Sequence, residues 1–229
     1  MMTLARLTMA LPAALGRSIH HFLFVPAAQA HPARLEAIVP PGIDAMAGPG
    51  AAALLDTLGD AQAHLRLDRI EHRIALLECD AIASLAHFAA LQRLGWALRR
   101  IVRREERAKL DPVLSADDWD TVYRTPASPG PQSGSPSVSA IIDDLDRAGW
   151  ELIAQASRSL PAPIGDRLRL KCAPFAAPTL VEPAPSPEAC MPSLVALYRQ
   201  WCERALPGWE HQLSSAAAAA GVASGSSQQ

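Results

Sequence analysis

Seven histidines and four cysteines are the residues with the widest chemical reach in this chain, and their spacing limits what they can do. His64, His72, Cys79 and His87 are separated by eight, seven and eight residues. On one continuous helix they would share a broad face. Eight residues, however, rise about 12 Å along a helix axis, whereas zinc–ligand bonds are only about 2.0–2.3 Å long. These residues therefore do not fit one ion, and Asp80 is placed to interrupt the helix between them. His20-His21 has no further ligand at metal spacing. Cys79, Cys172, Cys190 and Cys202 form no CxxC pair, and a chain of this length needs no disulfide to fold. They read as reduced thiols, with Cys202 on the apolar face of a helix, packed rather than reactive. No GxSxG elbow is present. Gly48-Pro-Gly50 and Gly130-Pro-Gln-Ser-Gly134 lack the GxxxxGK[ST] pattern of a phosphate loop and read as turns. Carboxylates gather at Asp117, Asp118 and Asp120 and again at Asp143, Asp144 and Asp146. Each group stands near a helix start, where backbone N–H groups and the dipole account for it. The expectation is a chain with no catalytic residues, metal, cofactor or small-molecule substrate.

The most distinctive charge feature is basic. Arg93, Arg99, Arg100, Arg103, Arg104, Arg107 and Lys109 surround Glu105 and Glu106, a local net charge of +5 in a chain whose formal net charge is −2. Arg99, Arg103 and Arg107 recur at i,i+4, so on one helix they would share a face. Such a face is a solvated surface, or it docks carboxylates through bidentate hydrogen bonds. No aromatic residues interleave for base stacking, and the global charge offers no field to gather polyanions, so nucleic acid is not expected.

The elements that must hold these residues are helical by composition and period. Hydrophobic residues make up 49% of the chain but aromatic residues only 5%, so the core must be largely Leu, Ala, Ile and Val. Alanine and leucine favour helix, and the twenty prolines should separate helices and shorten them. Pro32 suits the first turn of a helix through Leu35 and Ile38, ended by Pro40-Pro41-Gly42. A short helix with Leu54, Leu55 and Leu58 follows Gly48-Pro49-Gly50. The strongest helical region runs from about Asp60 to Lys109, with Asp60 and Asp80 as N-caps. Its apolar steps of three and four pass through Ile82, Leu85, Leu94, Leu98, Ile101 and Val102. Gly95 reads as a weak point or a close helix contact. Ser115-Ala-Asp-Asp118 reads as a capping box for a further helix through Trp119 and Val122. A helix from about Ser139 buries Ile141, Ile142, Leu145, Leu152, Ile153 and Ala156. Asp166–Cys172 alternates, with Leu168, Leu170 and Cys172 on one side and Arg167, Arg169 and Lys171 on the other, which is the period of a short half-buried strand. A last helix, roughly Pro192–Leu206, carries Leu194, Leu197, Tyr198, Trp201, Cys202 and Ala205 on one face.

The chain thus reads as a mainly α, irregular helical domain with at most one short strand and proline-rich connections. Its parts are an N-terminal segment over 1–19, a helical part over 20–124, a Pro/Ser/Gly linker over 125–137, a second helical part over 138–213 packed on the first, and a disordered Ala/Gly/Ser/Gln tail over 214–229. No run of 18 apolar residues suggests a membrane helix. Ala28-Gln29-Ala30 mimics a leader cleavage site, but Arg17, His20 and His21 separate it from the apolar run Leu7–Leu15. The expected location is cytoplasmic.

Several segments in order resemble a known family. Phe24-Val-Pro-Ala-Ala28 followed by His31-Pro32 and Leu35 resembles the opening of the SctK family, which includes YscK and PscK, of bacterial type III secretion systems. Leu91-Gln-Arg-Leu-Gly95-Trp-Ala-Leu98, leading into Arg99-Arg100, resembles its central helix. Trp150, then Arg167-Leu-Arg-Leu170 and a final apolar helix, resembles its C-terminal third. The likeness spans about residues 20 to 210; the linker and the tail depart from it as an insertion and an extension. It implies a helical, non-catalytic adaptor of the cytosolic sorting platform. Such an adaptor lies at the inner membrane between an SctD-like ring protein and an SctQ-like pod protein and is needed for export. Of the residues named above, Arg99, Arg103 and Arg107 are the candidates for partner contact. The competing classes are a type III secretion chaperone and an enzyme whose site forms only in the fold. Chaperones of that kind are smaller and more acidic, and often mix strands with helices.

Overall fold

The computed structural model describes residues 13–124, 136–175 and 186–225. Residues 1–12, most of the linker expected at 125–137 and the last four residues of the expected tail lie outside them. In chain order the helices are α1 (Ala13–Phe24), α2 (Pro32–Leu35), α3 (Gly48–Leu58), α4 (Ile70–Ala75), α5 (Cys79–Leu98) and α6 (Arg104–Ala108), then α7 (Ala116–Arg124), α8 (Val138–Leu145), α9 (Ala148–Ala156), α10 (Ala162–Lys171), α11 (Pro187–Ala205) and α12 (Trp209–Gly225). Short 3₁₀ turns occupy Pro26–Gln29 and Ser157–Ser159. The protein is mainly α, with no strand among the described residues.

The longest apolar stretch becomes the central element. Twelve of the twenty residues of α5 are buried, and from Ala86 onward they lie on nearly every side of the helix. A helix apolar all round belongs inside, and α5 runs through two cores. Its first half, with Ile82, Leu85, Ala86, Phe88 and Ala89, joins Leu15, Phe22, Ile74, Leu152, Ile164, Leu194, Tyr198 and Trp201. Its second half, with Leu91, Leu94, Trp96 and Leu98, joins Ile101, Leu110, Leu114, Trp119, Val122, Ile141 and Leu145. A third, smaller cluster of Ala27, Val39, Leu54, Leu58 and Leu170 seats α3 on α10. The helix starts follow local chemistry. The Oγ of Ser137 accepts the Ala140 N–H (3.2 Å) to begin α8. The Ser115–Asp118 pair forms the expected reciprocal cap, with Asp118 N–H on Ser115 Oγ (3.2 Å) and Ser115 N–H on Asp118 Oδ2 (2.8 Å). Asp60 instead makes a turn, accepting from the Gln62 and Ala63 N–H groups with no helix behind it, and Asp80 lies in the first turn of α5 after the N-cap Glu78.

Four expectations are corrected. The strand at Asp166–Cys172 is the helix α10, and the alternation misplaced its charges: Arg167 and Lys171 are 3% and 4% exposed. At the helical period Ile164, Arg167, Leu168, Lys171 and Cys172 share a face, and the two basic side chains are buried there because backbone carbonyls receive them. The tail is not disordered from Ser214, since α12 continues to Gly225 and buries Leu213 and Ala216 in the main core. Pro207-Gly208, with Gly208 at φ 85°, turns the chain back after α11. Its following alanine run is the best helix-forming sequence available, and Glu210 ties it down by accepting from Arg73 Nη1 and Tyr198 Oη. Helix α11 starts at Pro187, not Pro192, leaving Pro192 inside at the loss of one hydrogen bond to Glu188. Finally, Gly95 marks no close contact, because nothing lies within 4 Å of where a Cβ would stand.

The close contact is at Gly149. An added Cβ there would fall 1.7 Å from the Ala86 carbonyl oxygen, so α9 crosses α5 nearly backbone to backbone. Arg93 fastens the same crossing, with Nη1 donating to Ala148 O (2.6 Å) and to Glu151 Oε2 (2.8 Å).

Candidate functional site

Arg99, Arg103 and Arg107 do not share a helix face. Helix α5 ends at Leu98, and the chain turns through Arg100 N–H to Ala97 O (3.0 Å) and Ile101 N–H to Leu98 O (3.2 Å). It then runs extended to Arg103, the N-cap of the short helix α6. Two forces favour the break. On a continuous helix Arg99 would repel Arg103, and Arg100 would repel Arg104. The turn also lets Ile101 and Leu110 drop into the second core.

Each arginine then has its own setting. Arg99 is internal: its Nε donates to Val122 O (2.9 Å), and its Nη2 to the same oxygen, which caps the C-terminal turn of α7. Arg100 lies over the Trp96 ring, 5.3 Å from its centre, and Arg107 over the Trp119 ring at 4.5 Å. Arg103 and Arg104 are exposed. Arg99→Ala is therefore expected to lower stability by about 1.5–3 kcal/mol through loss of a charge-assisted bond. Arg103→Ala should change it by under about 0.5 kcal/mol. Urea titration of the two variants checks this, and equal effects would refute the separation of roles.

The remaining basic groups in the interior act as fasteners between distant segments. Lys171 Nζ donates to the carbonyls of Ala75 and Leu77 (both 2.7 Å), and so closes the end of α4. Arg167 donates to Phe22 O, Leu58 O and Pro163 O at 2.9–3.0 Å. Backbone bonds continue the seam: His31 N–H meets Leu170 O (2.9 Å), and Arg34 Nε meets Cys172 O (3.2 Å). Burial lowers the pKa of Arg167, while Asp60 and Asp166 act to raise it. Burial also lowers Lys171 to about 7, against an ordinary value of 10.5, with the nearby Cys79 and Glu78 opposing the shift. Nothing in the alternation of 166–172 pointed to a buried lysine; the helical period would have placed it beside Leu168.

The lysine makes stability depend on pH. Between pH 7 and 10.5 the unfolded chain holds a proton that the folded chain has released, so stability rises with pH by up to about 1.4 kcal/mol per unit. Cys172, pushed up to about 12 by burial, acts oppositely once unfolded thiols ionise above about 9. Urea titrations at about pH 7 and 8.5 should show a gain of about 1.5 kcal/mol that Lys171→Met abolishes. A flat profile in the parent protein would show Lys171 to be charged throughout.

His72, His87 and Cys79 have separate partners. His72 Nδ1 accepts the Arg66 N–H (3.0 Å), and burial lowers its pKa. His87 Nε2 lies 3.1 Å from Asp118 Oδ1, and Cys79 Sγ donates to Gln29 O (2.8 Å). No group of three or more His, Cys, Asp or Glu residues converges on a metal position among the described residues. None of the four cysteines is in a disulfide. No described helix is long and apolar enough to cross a membrane. Two open grooves flank the cores. One of about 550 Å³ lies between Arg17, His21, Leu77 and Trp209; another of about 510 Å³ lies between Arg34, Ile38, Arg169 and Phe175. Their walls are mainly apolar, with arginines at both. What this surface offers chemically is recognition of charge and apolar groups. Compared with models of known families, with curated proteins and with solved structures, the chain matches none of them.

Proposed function

We propose that this protein is a non-catalytic adaptor of a type III secretion sorting platform, bridging an SctD-like inner-membrane ring protein and an SctQ-like pod protein in the cytoplasm. The observation that carries this reading is the seam joining the segments that resemble the SctK family. The opening segment meets Arg167–Leu170 through His31 N–H on Leu170 O, and beside these residues Arg34 reaches Cys172 O and Arg167 reaches Phe22 O. Leu91–Leu98, the segment that resembles the family's central helix, belongs to α5, fastened beside Trp150 by Arg93 on Ala148 O and Glu151. His31 and Leu170, from two segments that carry the resemblance and lie far apart in sequence, are thus in direct contact. A likeness scattered by chance along the chain would not need to meet in space. The helical architecture, in which buried basic side chains hold other helices in place, suits a rigid spacer.

The test is reconstitution. Purified full-length protein is mixed with the cytoplasmic domain of the SctD-like protein and with the SctQ-like protein of the same secretion system, and complexes are resolved by light scattering. A ternary complex in which each partner requires this chain to meet the other supports the adaptor role. Absence of binding to both partners overturns it. Binding only to a secreted substrate would assign the protein to the chaperones instead.

A further inference from the structure

Six arginines are paired with carboxylates within the chain: Arg66 with Asp68, Arg69 with Glu71, Arg73 with Glu210, Arg93 with Glu151, Arg124 with Asp120 and Arg169 with Asp166. The segment after α5 concentrates cations that are not. Arg103, Arg104 and Lys109 are exposed and pair with no carboxylate among the described residues, although Glu105 and Glu106 stand beside them in sequence. In their midst Val102 is 89% exposed, the most exposed large apolar side chain described, between a buried Ile101 and the two arginines. At the margins, Trp96 and Trp119 lie under the guanidiniums of Arg100 and Arg107. The Arg107 guanidinium, held 4.5 Å over the Trp119 ring, is partly ordered before a carboxylate arrives.

We propose that Val102–Lys109 is a docking surface for an acidic, amphipathic segment of a partner protein, with partner carboxylates on the arginines and an apolar side chain over Val102. The charge complementarity fixes the occupant's chemistry. Four cations crowd a turn and a five-residue helix, and an approaching carboxylate relieves their mutual repulsion. Two features favour a protein over a lipid surface or RNA. Glu105, exposed in the middle of the patch, repels a uniform polyanion but is accommodated by a segment with spaced carboxylates. Val102 offers one small apolar contact, suited to a single side chain and too small to anchor in a bilayer. The ring-held Arg107 reduces the ordering cost of binding. The inference deepens the adaptor reading and rests on it only for the identity of the natural partner.

The test uses the full chain and a fluorescein-labelled acidic peptide with Glu and Leu at helical spacing, read by anisotropy. Parallel arms use phosphatidylglycerol vesicles and single-stranded RNA, and a last arm uses the SctD-like and SctQ-like proteins. Saturable peptide binding is expected. Arg103→Glu with Arg104→Glu should weaken it at least about tenfold, as should raising salt from about 0.05 M to about 0.5 M. Val102→Ser should weaken it about threefold while leaving the salt dependence unchanged. Circular dichroism controls for folding, and Arg103→Gln with Arg104→Gln replaces the reversal if that variant does not fold. No peptide binding, binding equal in parent and variant, or arginine-dependent binding to vesicles or RNA alone overturns the proposal. Peptide binding that depends on Arg103 and Arg104, without binding to either secretion protein, overturns the adaptor role and leaves the docking surface standing. Partner binding insensitive to these variants, with no peptide binding, does the reverse.

Discussion

Trp201→Ala is expected to destabilise the protein by about 3–5 kcal/mol, a large part of the about 5–15 kcal/mol that holds a typical domain together. Trp201 is 4% exposed and sits on α11 where that helix meets α5. Its ring tilts against Tyr198, 6.3 Å between centres, and its Nε1–H reaches across to Ser84 Oγ (3.0 Å). Truncation removes a bicyclic side chain from a core whose neighbours, Tyr198 and Cys202, are themselves held by the Glu210 network and by the helix. The space cannot close by small movements, so the cavity cost adds to the lost transfer energy. Trp201→Phe keeps most of the packing and loses the hydrogen bond, an expected cost of about 1–2 kcal/mol. Urea unfolding with an unchanged slope measures both. A loss below about 1 kcal/mol for the alanine variant would mean that α11 does not pack here.

Gly149→Ala should cost at least about 3 kcal/mol, more than most overpacking changes, because the obstacle is backbone. The added methyl would stand 1.7 Å from the Ala86 carbonyl oxygen and 2.5 Å from its carbon, and neither can rotate away as a side chain would. Relief requires α9 to move off α5, which would pull Leu152, Ile153 and Ala156 from the main core and strain the Arg93 bonds to Ala148 and Glu151. Gly95→Ala is the matched control. It is also helical, nothing lies within 4 Å of its new methyl, and it should gain about 1 kcal/mol in helix propensity. Opposite signs for two chemically identical substitutions, read as shifts of the denaturation midpoint, are the expected result. Like signs would place the α5–α9 crossing elsewhere.

Much of the fold was determined locally and so was legible in the sequence. The helical class follows from abundant Ala and Leu broken by prolines, and the Ser115–Asp118 cap and the apolar face of Leu194, Tyr198 and Trp201 follow from spacing alone. The candidate site was legible only as a concentration of charge between residues 93 and 109. Its geometry depended on where α5 stops, and that is set by Ile101 and Leu110 finding a second core, which no local pattern encodes. Once the helix stops there, Arg99 becomes a cap for α7, Arg107 a partner of Trp119, and Val102 the exposed centre of the patch. The same holds at 166–172. Seven residues alternating in polarity satisfy a strand period as well as a helix can hide charges, and the choice fell to carbonyls at Phe22, Leu58, Ala75 and Leu77, which lie about 94 to 145 positions away and receive Arg167 and Lys171. Burial of a cation depends on distant partners, so tertiary structure alone decided it.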